Sequence, residues 1–329
     1  KWRAIDPEIE EDTLTAKTPE GRKELKRLSA SIESEMLGIW MSPAGKRKIQ
    51  LEKLKERARN WAVEIKRCNL SQEDIMHALQ TTILKALQYP LLPHSFTKEE
   101  CRSIMFQALK IALPKSGFSQ RISSEIRHGP NGSLGIGIPD LYVYAGSAKI
   151  TALVDHLWQD TPTGKLLMVC IEDFLLDSGF FGNINDMDFE TLKKWASKHS
   201  WIYDCLKFMH EFDIDITIKH EELRPKREGD RAIMEVASKM QGINLKSINR
   251  VRMFQEIISI ADITTADGKR IDDTFLQRAK VKESRNNFLW PHKHRVTSED
   301  FRQWKIMCKQ LYILEGQLST PLYNWISIT

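Results

Sequence analysis

Apolar residues recur at spacings of three and four along most of the chain, which predicts a mainly α protein. Leu51, Leu54, Ala58, Trp61, Ile65 and Cys68 fall on one side of a helix, and Lys53, Glu56, Arg57 and Glu64 fall elsewhere, so one face is buried. Ser71-x-x-Asp74 and Thr97-x-x-Glu100 have the form of capping boxes, where a hydroxyl takes a free backbone N–H at a helix start. Tyr89-Pro90 and Leu113-Pro114 close those two helices, because the residue before a proline is driven out of helical geometry. Thr161-Pro162 opens another helix, with Leu166, Leu167, Cys170, Phe174 and Leu175 inward and a stop near Gly179. Asp188 starts one carrying Leu192, Trp195 and Ala196, and Ile202, Cys205, Leu206 and Met209 extend the pattern. Phe301, Trp304, Cys308 and Leu311 give a late amphipathic helix behind Thr297-Ser298.

Strand signals are short. Leu37 to Met41 before Ser42-Pro43-Ala44-Gly45 predicts a strand and turn, and Phe212 to Ile218 alternates with Ile214, Ile216 and Ile218 on one face. Asp267-Gly268 predicts a tight turn between Ile263 and Ile271. The Gly- and Ser-bearing stretch 115–137 and the charged stretch 219–231 are the expected hinges.

Composition narrows the class of protein. The chain has 329 residues, 41% hydrophobic and 28% charged, with 16 Gly and 12 Pro, which excludes collagen-like and wholly disordered chains. Five Cys, at 68, 101, 170, 205 and 308, form no Cys-x-x-Cys pair and suggest a reducing intracellular setting, cytoplasm or nucleus. Cys68, Cys170 and Cys308 are expected to be core thiols. No apolar run reaches the roughly 20 residues of a membrane span. The start, Lys1-Trp2-Arg3 without an initiator Met, predicts a piece cut from a longer protein.

The net charge is +5, unevenly spread: residues 151–223 hold 6 basic and 14 acidic side chains, and residues 224–310 hold 19 basic and 11 acidic. No P-loop is present, since Gly45-Lys46, Gly164-Lys165 and Gly268-Lys269 lack the upstream Gly and the following Ser or Thr. His292-x-His294, the acidic cluster Asp186, Asp188 and Glu190, and the pair Asp213 and Asp215 are weak metal candidates, better read as a solvated loop, a helix cap and a strand's outer face. No metal or other cofactor is expected in the chain itself. What remains is basic residues around a Gly-bearing loop, Lys115, Arg121, Arg127 and His128, and in the basic half Arg250, Arg252, Lys269, Arg270, Arg278, Lys280, Lys282 and Arg285. Such groups neutralise phosphates and release counterions, which gives affinity without base specificity. Trp290 beside Pro291 could stack on a base or anchor packing.

The order of several segments resembles a known family. His128-Gly129-Pro130 followed by Leu134-Gly135-Ile136-Gly137-Ile138-Pro139-Asp140-Leu141, with Ala145 and Ile150 on a following helix, is similar to the stretch after the palm of non-LTR (LINE-like) retrotransposon reverse transcriptases. Met36-Leu37-Gly38-Ile39 before Pro43-Ala44-Gly45 resembles the strand that precedes their thumb. Ile248 to Met253, Asp262-Ile263, Ala266-Asp267-Gly268, Trp290-Pro291, Phe301-x-x-Trp304 and Pro321-Leu322-x-x-Trp325 resemble a C-terminal extension of retroelement polyproteins. The Tyr-x-Asp-Asp turn that binds magnesium in such palms is absent, so the resemblance implies the part after the active site, with magnesium only in the missing palm. It further implies a charged leader over 1–35, a thumb-like helical bundle over 36–115, a Gly-rich loop and helical connection over 116–222, and a small basic α+β region over 223–329. The expected work is non-catalytic: gripping RNA or an RNA–DNA duplex for the rest of the polyprotein, away from any membrane. Lys115, Arg121, Arg127, His128, Arg250, Arg252, Lys269 and Arg270 would be the phosphate contacts. The alternative class is a helical protein–protein scaffold whose acidic and basic segments pair with each other.

Overall fold

The structure is a computed structural model, and it describes residues 15–19, 21–24, 32–196, 200–220, 223–277, 296–314 and 317–326. The fold is mainly α with a few short strands. Contacts divide the chain into two compact units, one reaching to Ala152 and the other starting at Leu153, a boundary inside a helix rather than at either expected hinge.

The first unit opens with two antiparallel hairpins, β1 (Thr15–Thr18) with β2 (Gly21–Glu24) and β3 (Ser34–Met36) with β4 (Ile39–Met41). The second hairpin turns at Leu37 and Gly38, both at positive φ, so the expected single strand is the return arm of a two-residue turn. Helix α1 (Lys48–Arg67) buries Leu54, Ala58, Ala62 and Ile65 against α4 (Lys98–Lys115), which presents Ile104, Met105, Ala108, Leu109, Ala112 and Leu113. Cys68 is not a core thiol: it leaves the helix in extended geometry and is exposed. Ser71 caps α2 (Gln72–Ala78) through its hydroxyl, and one wide π turn, Leu79–Ile83, joins α2 to α3 (Leu84–Gln88). Ile75, Leu79, Ile83, Leu87 and Leu91 stand at strict four-residue spacing and all are buried. On a helix of 3.6 residues per turn that spacing drifts by about 40° a step, and the wide turn brings the row back toward the core.

After α4 come α5 (Ser124–His128) and α6 (Leu141–Trp158), within which the unit boundary falls. The second unit continues with α7 (Pro162–Ser178), α8 (Phe189–Leu192), α9 (Trp201–Glu211), α10 (Ile233–Ser238), α11 (Leu245–Gln255), α12 (Ser298–Gln310) and the antiparallel pair β5 (Tyr312–Leu314) and β6 (Gln317–Leu318). Thr161 caps α7, and Gly179 ends it at φ +63, where a Cβ would sit 2.8 Å from the Arg252 guanidinium. The buried side of α7 is Ile171, Phe174 and Leu175, so Leu166 and Cys170 point to solvent instead of inward as expected. Cys308, by contrast, is buried on α12 beside Trp304, and burial pushes its thiol up to about 12.

Residues 212 and 213 form the turn that ends α9, with Asp213 at positive φ, and residues 214–218 form no strand. The Asn185 side chain replaces the missing neighbour: its Nδ2 donates to Ile218 O at 3.2 Å and its Oδ1 accepts from Ile218 N at 3.2 Å. One amide supplies the donor and acceptor that a paired strand would have offered. The turn at Asp267-Gly268 forms as expected, with Thr264 and Ile271 bridged across it.

Candidate nucleic-acid interface

Helix α4 starts with a full capping box: Thr97 Oγ1 accepts from Glu100 N and the Glu100 carboxylate accepts from Thr97 N. That fixes the phase of the helix. Arg102, Phe106 and Lys110 follow at four-residue spacing on its exposed side. The chain then turns back on itself: Phe118 N donates to Leu113 O at 2.8 Å, and Gln120 Nε2 donates to Lys110 O at 3.0 Å. Ser123 caps α5, which places Arg127 and His128 in its last turn, where positive charge favours the helix dipole.

The Gly-rich stretch is no hinge. Ile136 N donates to Ile126 O and Gly137 N to Gly129 O, both at 2.8 Å, and Ile138 N to Arg127 O at 3.1 Å. A Cβ on Gly135 would lie 2.0 Å from Gly129 O, so only glycine lets the two arms approach this closely. Asp140 then starts α6, its Oδ1 accepting from Tyr142 N at 2.7 Å. Its Oδ2 stands 3.9 Å from His128 Nε2, while His128 Nδ1 lies 2.7 Å from Ile138 O.

Between α4, α5 and the start of α6 lies a cleft of about 450 Å³. Its walls carry Arg102, Lys110, Arg121, Arg127 and His128, against the lone carboxylate of Asp140. The floor is apolar and includes Met105, Leu109 and Leu113. Arg127 is held from one side, Nη2 donating to Ile122 O at 3.0 Å, while its buried Nε has no acceptor among the described residues. A buried donor left unmade costs about 1–3 kcal/mol, so this guanidinium is poised to gain from an anion.

Three of the eight expected phosphate contacts, Arg121, Arg127 and His128, thus meet in one place. Lys115 does not join them: its Nζ donates to Ile65 O at 2.9 Å and Cys68 O at 2.7 Å, capping the end of α1. Arg250 is paired with Asp300 on α12 and donates to Ser247 Oγ. Burial disfavours the Asp300 carboxylate, yet the Arg250 guanidinium, Thr297 and Ser247 outweigh it and hold the group well below the usual carboxylate range. Arg252 is fully buried and serves Asn249 Oδ1, Ile257 O, Leu176 O and Asp177 O, so it is a structural hub rather than a phosphate contact. Burial pulls its pKa down to about 10. Lys269 and Arg270 are exposed on the Asp267-Gly268 turn in the second unit. Arg278, Lys280, Lys282, Arg285, Trp290, His292 and His294 lie outside the described residues.

Arg102, Phe106 and Lys110 were not picked out from the sequence. Their regular spacing on the polar side of a helix was the available signal. Among the described residues no group of three or more His, Cys, Asp or Glu side chains is placed to hold a metal ion, and no helix is long and apolar enough to cross a membrane. No family model, curated protein or solved structure matches the chain.

Proposed function

We propose that the chain binds nucleic acid through its phosphates at the α4–α5 cleft, as a non-catalytic part of a retroelement RNA-directed DNA polymerase. The observation that carries this reading is the convergence of Arg102, Lys110, Arg121 and Arg127 on one concave surface with a single opposing carboxylate. Four fixed positive charges around an apolar floor repel one another unless an anion sits among them. A phosphodiester chain supplies such anions in series. The retroelement parentage is supported by the order of the motifs from Met36 to Trp325.

Binding of a labelled RNA strand, followed by fluorescence anisotropy across a salt series, tests the reading. Four phosphate contacts on a single strand give a slope of about −3 in log K against log salt. Arg121→Gln should reduce that slope by about 1. An affinity that is flat in salt overturns the proposal. The scaffold alternative draws on a different feature, the exposed apolar side chains of Trp158, Leu166 and Val169 in α6 and α7. It gains ground if Trp158→Ser lowers self-association in sedimentation velocity while RNA binding stays absent.

A further inference from the structure

The geometry points to an unpaired nucleobase as the group the cleft receives, stacked on Phe106, so that the site takes single strands and not duplex. This rests on the phosphate-binding reading above and narrows it. Phe106 is 58% exposed although it lines a concave site whose floor is apolar. It is flanked on its own helix by Arg102 one turn before and Lys110 one turn after. Four residues of α-helix rise by about 6 Å, so a cation lies that far along the axis on each side of the ring. An aromatic face bracketed by cations is what one nucleotide needs, a π surface for the base and positive charge for the phosphates before and after it. Neighbouring aliphatic side chains such as Met105 and Leu109 are buried, which leaves Phe106 and Pro139 as the exposed apolar lining, and of the two only Phe106 offers an aromatic face.

Size decides between strand types. A cleft of about 450 Å³ is in the range of sites that enclose one small molecule. It admits one base with its sugar, and a duplex cannot enter it. In a duplex both faces of every interior base are already occupied by neighbours, so Phe106 would gain nothing from them.

The test compares a short fluorescein-labelled oligothymidylate with a blunt duplex carrying the same number of phosphates, at one salt concentration, using the full chain. Wild type is expected to favour the single strand. Phe106→Ala should weaken single-strand binding about tenfold and leave duplex binding unchanged. Phe106→Trp should retain or strengthen the single-strand preference. Because Phe106 is largely exposed, circular dichroism and the melting curve of the alanine variant should match wild type. If Phe106→Ala weakens neither probe while Arg121→Gln weakens both, the base-stacking inference is wrong and the phosphate reading stands. Equal losses on both probes overturn it as well, since a packing role would act on both. Displacement of the strand by free thymidine monophosphate, at matched phosphate concentration, would make the cleft a mononucleotide site and overturn the polymer inference. If neither probe binds wild type, the phosphate reading itself falls.

Discussion

Arg252 offers a prediction in which two substitutions should rank against intuition. Its guanidinium, wholly out of solvent, donates to four acceptors at 2.7 to 3.0 Å: Asn249 Oδ1, Ile257 O, Leu176 O and Asp177 O. Removing it leaves Asn249 Oδ1, Ile257 O and Leu176 O unmade, at about 1 kcal/mol each even at the lower end, hence ~3 kcal/mol, while Asp177 O keeps its bond from Asn249 Nδ2. The charge is itself unfavourable there, because desolvation lowers the pKa from 12.5 to about 10. At 1.36 kcal/mol per pKa unit, the penalty relieved on removing the charge is ~3 kcal/mol. Arg252→Met therefore comes out close to neutral. Arg252→Lys keeps the buried charge and loses the planar fork, so it forfeits at least two charge-assisted bonds, ~4 kcal/mol. In a unit of this size 1 kcal/mol moves the melting temperature by about 2–4 °C. Scanning calorimetry should put the methionine variant within about 3 °C of wild type and the lysine variant about 10 °C below it. A lysine variant that melts above the methionine variant would refute the reasoning. Below those temperatures, RNA affinity should be the same in all three.

Other perturbations give distinct signatures. Lys115→Met removes the cap on α1 and should cost about 1–2 kcal/mol in denaturant melts with no change in the salt slope of RNA binding. Gly135→Ala drives a Cβ into Gly129 O, so the loop must open; expect a loss of ~3 kcal/mol in the same melts and weakened binding at the cleft. Leu134 sits at φ +61 and is 94% exposed, so Leu134→Gly should stabilise by ~1 kcal/mol, read as a higher urea midpoint. Asp300 has a depressed folded pKa, so its pairing with Arg250 stabilises above the unfolded pKa near 3.8 and is lost as pH falls through the lower folded value. Wild type should therefore lose stability below about pH 4, and Asp300→Asn should be less stable at neutral pH and show a shallower acid limb in melts taken across that range.

Local signals carried far in the sequence because they depend on nearest neighbours. The capping boxes at Thr97 and Thr297, the Ser71 and Thr161 caps and the Gly179 stop all formed where their residue types placed them. Properties set by tertiary partners were harder to see. The face of α7 is chosen by what packs on Ile171 and Phe174, which leaves Leu166 and Cys170 outside a stripe that periodicity alone had turned inward. Ile218 alternates like a strand residue but bonds to a side chain rather than to a neighbouring strand, and no pattern in residues 212–218 announces Asn185 as that partner. For the site, positive charge was legible and its use was not. Arg121 and Arg252 look alike in sequence, yet one stands in an open cleft and the other satisfies four buried acceptors. Arg102 and Lys110 escaped notice because their helix was read only at its two ends, the Thr97 capping box and the Leu113-Pro114 stop.

The wide turn at Leu79–Ile83 sets how this region can change length. Elsewhere in a packed helix, deleting one residue swings everything downstream by about 100° and exposes what was core. Here a deletion would convert the loose turn to ordinary helix, because five residues of π turn rotate the chain about as far as four of α-helix, and Leu84, Leu87 and Leu91 would stay in register with α1. The helix would survive, and so would the bundle. A chain shortened by one residue within this turn should therefore stay helical by circular dichroism and still melt cooperatively.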